Sequence, residues 1–167
     1  MKDINIPLKK ISVIGGNRIE EGSDIYNMAL LVGKNIAKNG AVLICGGLSG
    51  VMEAACKGAR EEGGLTIGIL PSTDEDTANK WVDIKIPTGL GYARNSLVVL
   101  CSHAVIAING AEGTLSEIGY ALTFKKPLIG LDTWSVRPYR DIPRKLIKNA
   151  GSPEEAVVLA LNSINIK

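Results

Sequence analysis

The 167-residue chain is 46% hydrophobic and carries 19 basic and 17 acidic residues, a formal net charge of +2, with the basic residues scattered along its length. That suits one globular core over residues 1–167 and speaks against a polycationic surface for a nucleic-acid polymer, while Cys45, Cys56 and Cys101 are too widely spaced for a disulfide framework or a zinc ligand set. That cysteine usage makes a reducing cytoplasm the expected compartment, and the stretch MKDINIPLKKISVIGG, whose apolar run is too short for a signal segment or a membrane span, makes a soluble protein the expectation.

The first β-branched run, Ile11 to Gly15, predicts a strand that ends in Gly15-Gly16-Asn17-Arg18. Ile25, Ala29, Val32 and Ile36 then repeat at helical spacing, one apolar stripe that Asn39 and Gly40 stop. Ala41 to Cys45 predicts the next strand, followed by Gly46-Gly47-Leu48-Ser49-Gly50 and a helix from Val51 to Glu62. Strands are predicted at Leu65 to Leu70 and Val82 to Ile86, separated by a surface loop, Pro71 to Lys80, whose acidic run Asp74-Glu75-Asp76 reads as a solvated turn. A helix from Tyr92 to Cys101 precedes a strand from His103 to Ile108, and His103 reads as a polar strand end rather than a general base. Next come a helix from Thr114 to Lys125, a strand from Pro127 to Leu131 and a surface loop from Asp132 to Pro143. Ser152-Pro153-Glu154-Glu155 places a capping serine, a first-turn proline and a glutamate three residues after the cap, opening a last helix that runs to about Ser163.

Strands alternating with crossover helices predict a three-layer, Rossmann-like α/β domain with a mostly parallel sheet and helices on both faces. Ligands of such sheets bind beyond the carboxyl ends of the strands, so the loops after the strands are the candidates. Glycine-bearing loops follow at Gly15, Gly46, Thr88 to Asn95 and Asn109 to Thr114. Glycine lets backbone N–H groups approach an anion, and a following helix N-terminus favours negative charge. Gly40, Gly63 and Gly64 read as packing glycines outside any site. No G-x-G-x-x-G follows the first strand, no GK[ST] follows a glycine loop, and no G-x-S-x-G elbow occurs, which excludes an NAD-type dehydrogenase, a P-loop and a serine hydrolase.

The segments GGLSGVMEAACKGA, GYARN and NGAEGTLSE resemble the Lonely guy family of phosphoribohydrolases, formerly labelled lysine decarboxylases, and the related molybdenum-cofactor carrier proteins. The resemblance runs from Ile11 to about Leu131. Lonely guy enzymes show an R-K pair and a P-G-G-x-G-T-x-x-E segment, and the resemblance implies that Arg94 and Glu117 match the catalytic Arg and Glu. It also implies that Gly110, Gly113 and Thr114 match the phosphate loop. Asn95 stands for the Lys, Asn109 for the Pro and Ala111 for the second Gly, and the A-R-N and G-T-L-S-E wording is nearer the carrier branch. The implied ligand is a phosphorylated small molecule, a molybdenum cofactor or a nucleotide, with no cofactor required. The implied assembly is a homodimer or larger homo-oligomer.

Gly15, Gly16, Asn17, Gly46, Gly47, Gly50, Asn95, Asn109, Gly110, Ala111, Gly113 and Thr114 are therefore the candidate ligand contacts, and Arg94 with Glu117 the candidate catalytic pair. Arg18 has reach enough for a phosphate. Glu117 has two readings: a carboxylate that stabilises a developing sugar cation, or the partner of Thr114 in a capping box. Arg94 is either a ligand contact or a solvated cation. Three functions remain at this point: a binding protein for a phosphorylated heterocycle, a nucleoside 5′-monophosphate phosphoribohydrolase, and a non-catalytic homo-oligomer. A lysine decarboxylase is excluded, because no lysine lies beside the glycine loops for Schiff-base chemistry.

Overall fold

The computed structural model describes residues 8–138 and 146–164. The strands are β1 (Lys10–Gly15), β2 (Val42–Cys45), β3 (Thr66–Leu70), β4 (Ile84–Pro87), β5 (Ala104–Asn109), β6 (Leu128–Thr133) and β7 (Lys148–Asn149). The helices are α1 (Asp24–Lys38), α2 (Val51–Glu61), α3 (Asn95–Leu100), α4 (Glu112–Thr123) and α5 (Pro153–Asn162). All seven strands form one sheet in the order β4-β3-β2-β1-β5-β6-β7, and every pairing is parallel.

Alternation along the strands divides the core in two. Ile11, Val13, Leu43, Cys45, Ile106 and Ile108 face α1, α2 and α5, whereas Ile14, Ile44, Val105 and Ala107 face α3 and α4. Each Ile or Val buried this way contributes about 1.5–3 kcal/mol, and both faces must be covered because parallel strands are apolar on both sides. The α1 stripe buries Tyr26, Ala29, Val32, Gly33 and Ile36, with Ile25 only partly covered. Gly33 belongs to that stripe because the Ala55 carbonyl of α2 occupies the space a Cβ would need.

The chain winds outward from β1 through β2, β3 and β4, then returns to the other side of β1 for β5, β6 and β7. The winding direction therefore reverses between β1 and β5. Loops leaving these two strands diverge to opposite faces and open a crevice at their carboxyl ends.

Helix starts differ from the sequence expectation at two places. A 3-10 turn at Gly91–Arg94 precedes α3, and α4 begins at Glu112, ahead of Thr114. Ser152 caps α5 as expected, accepting the Glu155 N–H at 3.2 Å, but the Glu155 carboxylate reaches back to the Gly151 N–H, one residue beyond the cap, at 2.7 Å. β6 extends through Asp132 and Thr133, the first residues of the expected Asp132 to Pro143 loop, and residues 139–143 of that loop lie outside the described residues. No described helix is long and apolar enough to cross a membrane.

Candidate functional site

A cleft of about 660 Å³ opens where β1 and β5 part. Its walls hold Gly15, Gly16, Asn17, Gly46, Arg94, Asn95, Asn109, Gly110, Ala111, Gly113, Thr114 and Glu117, twelve of the fourteen residues singled out from the sequence, together with Arg18. Gly47 and Gly50 are not among the lining residues.

The loop after β2 shows why. Gly47 has a φ of 75°, and its N–H is given to the Cys45 sulfur at 3.2 Å. Gly50 has a φ of 68°, and a Cβ there would run into the Gly16 carbonyl. The Val51 N–H, first of α2, donates to that same Gly16 carbonyl at 2.9 Å. The Gly47 and Val51 donors are thus engaged in holding the β1 and β2 loops together, whereas the Gly50, Met52 and Glu53 N–H groups have no acceptor among the described residues. Gly46 does line the cleft, but as a seat for an arginine, since a Cβ would overlap the Arg94 guanidinium.

The loop after β5 is built differently. Asn109 has a φ of 50° and Gly110 a φ of 113°, and the Asn109 side chain accepts the Gly110 N–H at 2.7 Å. Thr114 packs so closely on Gly110 that no side chain fits at that position. Ala111 is the N-cap of α4 and supplies no side-chain acceptor, so the N–H groups of Glu112, Gly113 and Thr114 find no acceptor among the described residues. An α-helix leaves its first N–H groups to caps, water or ligands, and here they face the cleft without a cap. At Gly113 a Cβ would meet nothing nearer than the Asn95 Nδ2 at 4.0 Å, so the helix start stays open to a ligand.

Arg94 is buried, 6% exposed, which corrects the reading of a solvated cation. Its Nη1 donates to the Asn95 Oδ1 at 2.8 Å and its Nη2 to the Gly46 carbonyl at 3.1 Å, while its buried Nε has no partner. Burial lowers its pKa, and Glu117 works in the opposite direction. Glu117 is likewise 6% exposed. The capping box does not form, because Thr114 lies inside α4 rather than at its cap. The Glu117 carboxyl instead lies 3.9 Å from the Arg94 Nη1, in ion-pair range and beyond hydrogen-bond range. Burial pushes its pKa up to about 8, against a smaller downward pull from Arg94. At neutral pH the group is mostly a neutral acid, able to donate as well as accept a hydrogen bond.

Sequence reasoning did not single out the apolar side of the cleft, formed by Ile19, Leu48 and Met52, or Pro71 and Tyr92, which also line it. Ile19 and Leu48 pack against the core cluster that contains Met52, so this wall is a continuation of the core. Tyr92 was legible in GYARN, but nothing local marks Ile19, Leu48 or Met52 as cleft residues. Among the described residues no group of three or more His, Cys, Asp or Glu side chains is placed to hold a metal ion.

A sequence profile described as the SLOG cluster4 family matches residues 8–165. The molybdenum cofactor binding protein of Rippkaea orientalis superposes with a TM-score of 0.85 at 38% identity, covering 94% of this chain and 98% of that one. The molybdenum cofactor carrier protein of Chlamydomonas reinhardtii gives a TM-score of 0.80 at 36% identity, covering 93% and 98%. A cytokinin riboside 5′-monophosphate phosphoribohydrolase of Mycobacterium tuberculosis is 31% identical over 67% of this chain, and the match spans 65% of that enzyme's length.

Proposed function

The chain belongs to the SLOG cluster4 family, a Lonely guy-like group, and from that premise we propose that it binds and holds a phosphorylated heterocycle of the molybdopterin or nucleotide type without cleaving it. The observation that carries this reading is the uncapped start of α4, with three N–H groups at a cleft that the buried Arg94 also lines. Together these donors suit a phosphate monoester, which offers several acceptor oxygens and a charge matched to both the helix end and the guanidinium. The apolar wall of Ile19, Leu48 and Met52 suits a planar ring. A volume of about 660 Å³ lies within the range of roughly 300–1,000 Å³ usual for small-molecule sites. A molybdopterin-type cargo therefore fits the donor set and the space. The likeness to two molybdenum-cofactor proteins over more than nine-tenths of the chain supports the same reading.

The protonation of Glu117 supports holding without cleavage. N-glycosidic cleavage builds positive charge on the sugar, which an ionised carboxylate stabilises and a neutral one does not. A Glu117 pKa of about 8 leaves roughly a tenth of the carboxyl ionised at pH 7. Native mass spectrometry of the purified protein, with identification of the released small molecule, tests the proposal; a bound phosphorylated heterocycle is expected. Protein that carries none, and that binds neither AMP nor other phosphate esters in calorimetry, defeats it.

One observation favours a second reading, the phosphoribohydrolase. Arg94 and Glu117 do meet in the cleft, and a neutral Glu117 has a proton to give to a departing base. Incubation with a panel of nucleoside 5′-monophosphates decides between the two. No base release is expected; release that falls about a hundredfold in Glu117→Gln establishes the enzyme instead.

A further inference from the structure

Arg94 and Glu117 share a buried site yet stand too far apart for a hydrogen bond, although closing the gap of 3.9 Å needs a movement of only about 1 Å to reach ordinary bonding distance. A guanidinium and a carboxyl so placed in a protein interior ordinarily close into a bonded pair, which favours the ionised carboxylate. Asn95 is the side chain that accounts for the separation. It is buried, its Oδ1 accepts the Arg94 Nη1 hydrogen at 2.8 Å, and its Nδ2 donates to the Ser116 Oγ at 3.2 Å. Ser116 in turn donates to the Gly113 carbonyl in the first turn of α4 at 2.6 Å. That chain of bonds sets which way the amide points, its oxygen toward the guanidinium and its nitrogen toward α4. On the other side the Gly46 carbonyl holds Nη2 at 3.1 Å, and the missing side chain at Gly46 makes the room.

We propose that Asn95 is a positioning residue: by accepting one of the two Nη1 hydrogens it holds the Arg94 guanidinium against Gly46 and off the Glu117 carboxyl, leaving that carboxyl free for a phosphate ester in the cleft. This rests on the binding reading above and explains how the site avoids spending its two strongest polar groups on each other. The other ionisable surroundings of Glu117 are few. α3 and β5 present none, β1 has only Lys10 at its opposite end, and β6 has only exposed Asp132. Glu112 begins α4 itself, and the Cys45 thiol at the end of β2 is close enough to feel both Arg94 and Glu117. Arg94 is thus the one cation whose position governs Glu117.

The test is an NMR titration of the Glu117 carboxyl carbon in the free protein. The wild type is expected to titrate near pH 8. Asn95→Ala releases Nη1 to bond Glu117, and the midpoint is expected to fall by about one unit or more. Asn95→Asp keeps the acceptor oxygen and is expected to show no fall. Ser116→Ala, which loosens the amide without removing it, is expected to give a smaller fall and serves as the test if Asn95→Ala does not fold. A midpoint unchanged in folded Asn95→Ala, or in Ser116→Ala where that variant stands in for it, overturns the proposal. So does an equal fall in Asn95→Asp. A second readout is affinity for AMP at pH 7, expected to weaken about tenfold in Asn95→Ala as both polar groups become occupied. The titration needs no ligand, so a wild type that binds no phosphate ester defeats the binding reading while leaving this one to stand or fall by its own midpoint.

Discussion

The loops after β2 and β5 look alike in sequence, each a glycine-rich hand-over from a buried strand to a helix, and they differ in how much of the helix start the fold has already used. After β2 the Gly47 N–H goes to the Cys45 sulfur and the Val51 N–H to the Gly16 carbonyl, so neighbouring backbone takes the first helical N–H and leaves those of Met52 and Glu53 without an acceptor among the described residues. After β5 the Asn109 side chain takes only the Gly110 N–H, and those of Glu112, Gly113 and Thr114 remain without an acceptor among the described residues. Anion-binding capacity belongs to N–H groups that the fold has not used, whatever the number of glycines. One loop ties its first helical N–H to the loop after β1; the other leaves all three first-turn N–H groups unused among the described residues.

The largest effect should come from forcing a side chain onto the packing loop. Gly50→Val puts a β-branched residue at a φ of 68° and drives its Cβ into the Gly16 carbonyl. We expect a loss of roughly 4 kcal/mol or more, read as a drop in thermal midpoint or as failure to fold. A Gly50→Val protein with a wild-type melting curve would remove the contrast between the loops.

Glu117 comes next, and its sign follows from the direction of its shift. The carboxyl holds its proton in the folded protein up to about pH 8, against a reference value of 4.5. The folded state therefore binds the extra proton between these values, and stability from this group is whole below pH 4.5 and lost as pH climbs through about 8. Glu117→Gln removes the titration. Relative to wild type it should gain on the order of 4 kcal/mol between pH 4.5 and pH 9, measured by urea unfolding at several pH values. A wild type and variant whose stabilities run parallel across that window would show that Glu117 is an ordinary carboxylate.

Gly113→Val probes the cradle. Its Cβ meets no protein atom closer than 4.0 Å, so the fold should lose no more than about 1 kcal/mol. The new methyl groups fill space at the uncapped helix start, and affinity for AMP should fall about a hundredfold. Unchanged affinity places the phosphate elsewhere. Smallest of all, Arg18→Ala removes an exposed cation at the cleft wall and should weaken AMP binding about twofold to threefold, an effect that shrinks as salt is added.

Six of the seven strands were legible because each is a short β-branched run bounded by turn residues. β7 was not, since Lys148 and Asn149 are only two residues, both exposed, with no apolar pattern to announce them. The early start of α4 was hidden because Ala111 caps it without a side-chain bond, leaving Thr114 as the most cap-like residue in the segment. In the site, the glycines after β1 and β5 could be named from position alone, because glycine directly after a buried strand has local meaning. Gly46, Gly47 and Gly50 carry the same local signature and differ only in what packs behind them.

The sequence by itself determined the alternation of strands and helices, hence a parallel sheet, and the edge on which its glycine loops collect, while Arg94, Asn95 and Glu117 became candidates only through the family resemblance. Those properties are written in spacings of two to four residues, which local backbone geometry reads directly. Only the tertiary structure decided that Arg94 is buried against a carbonyl 48 residues away, that Asn95 keeps it from Glu117, and that the first helical N–H is taken by Gly16 in α2 and left unused in α4. Protonation and donor supply depend on desolvation and on partners brought together by strand order, and neither is a function of sequence distance.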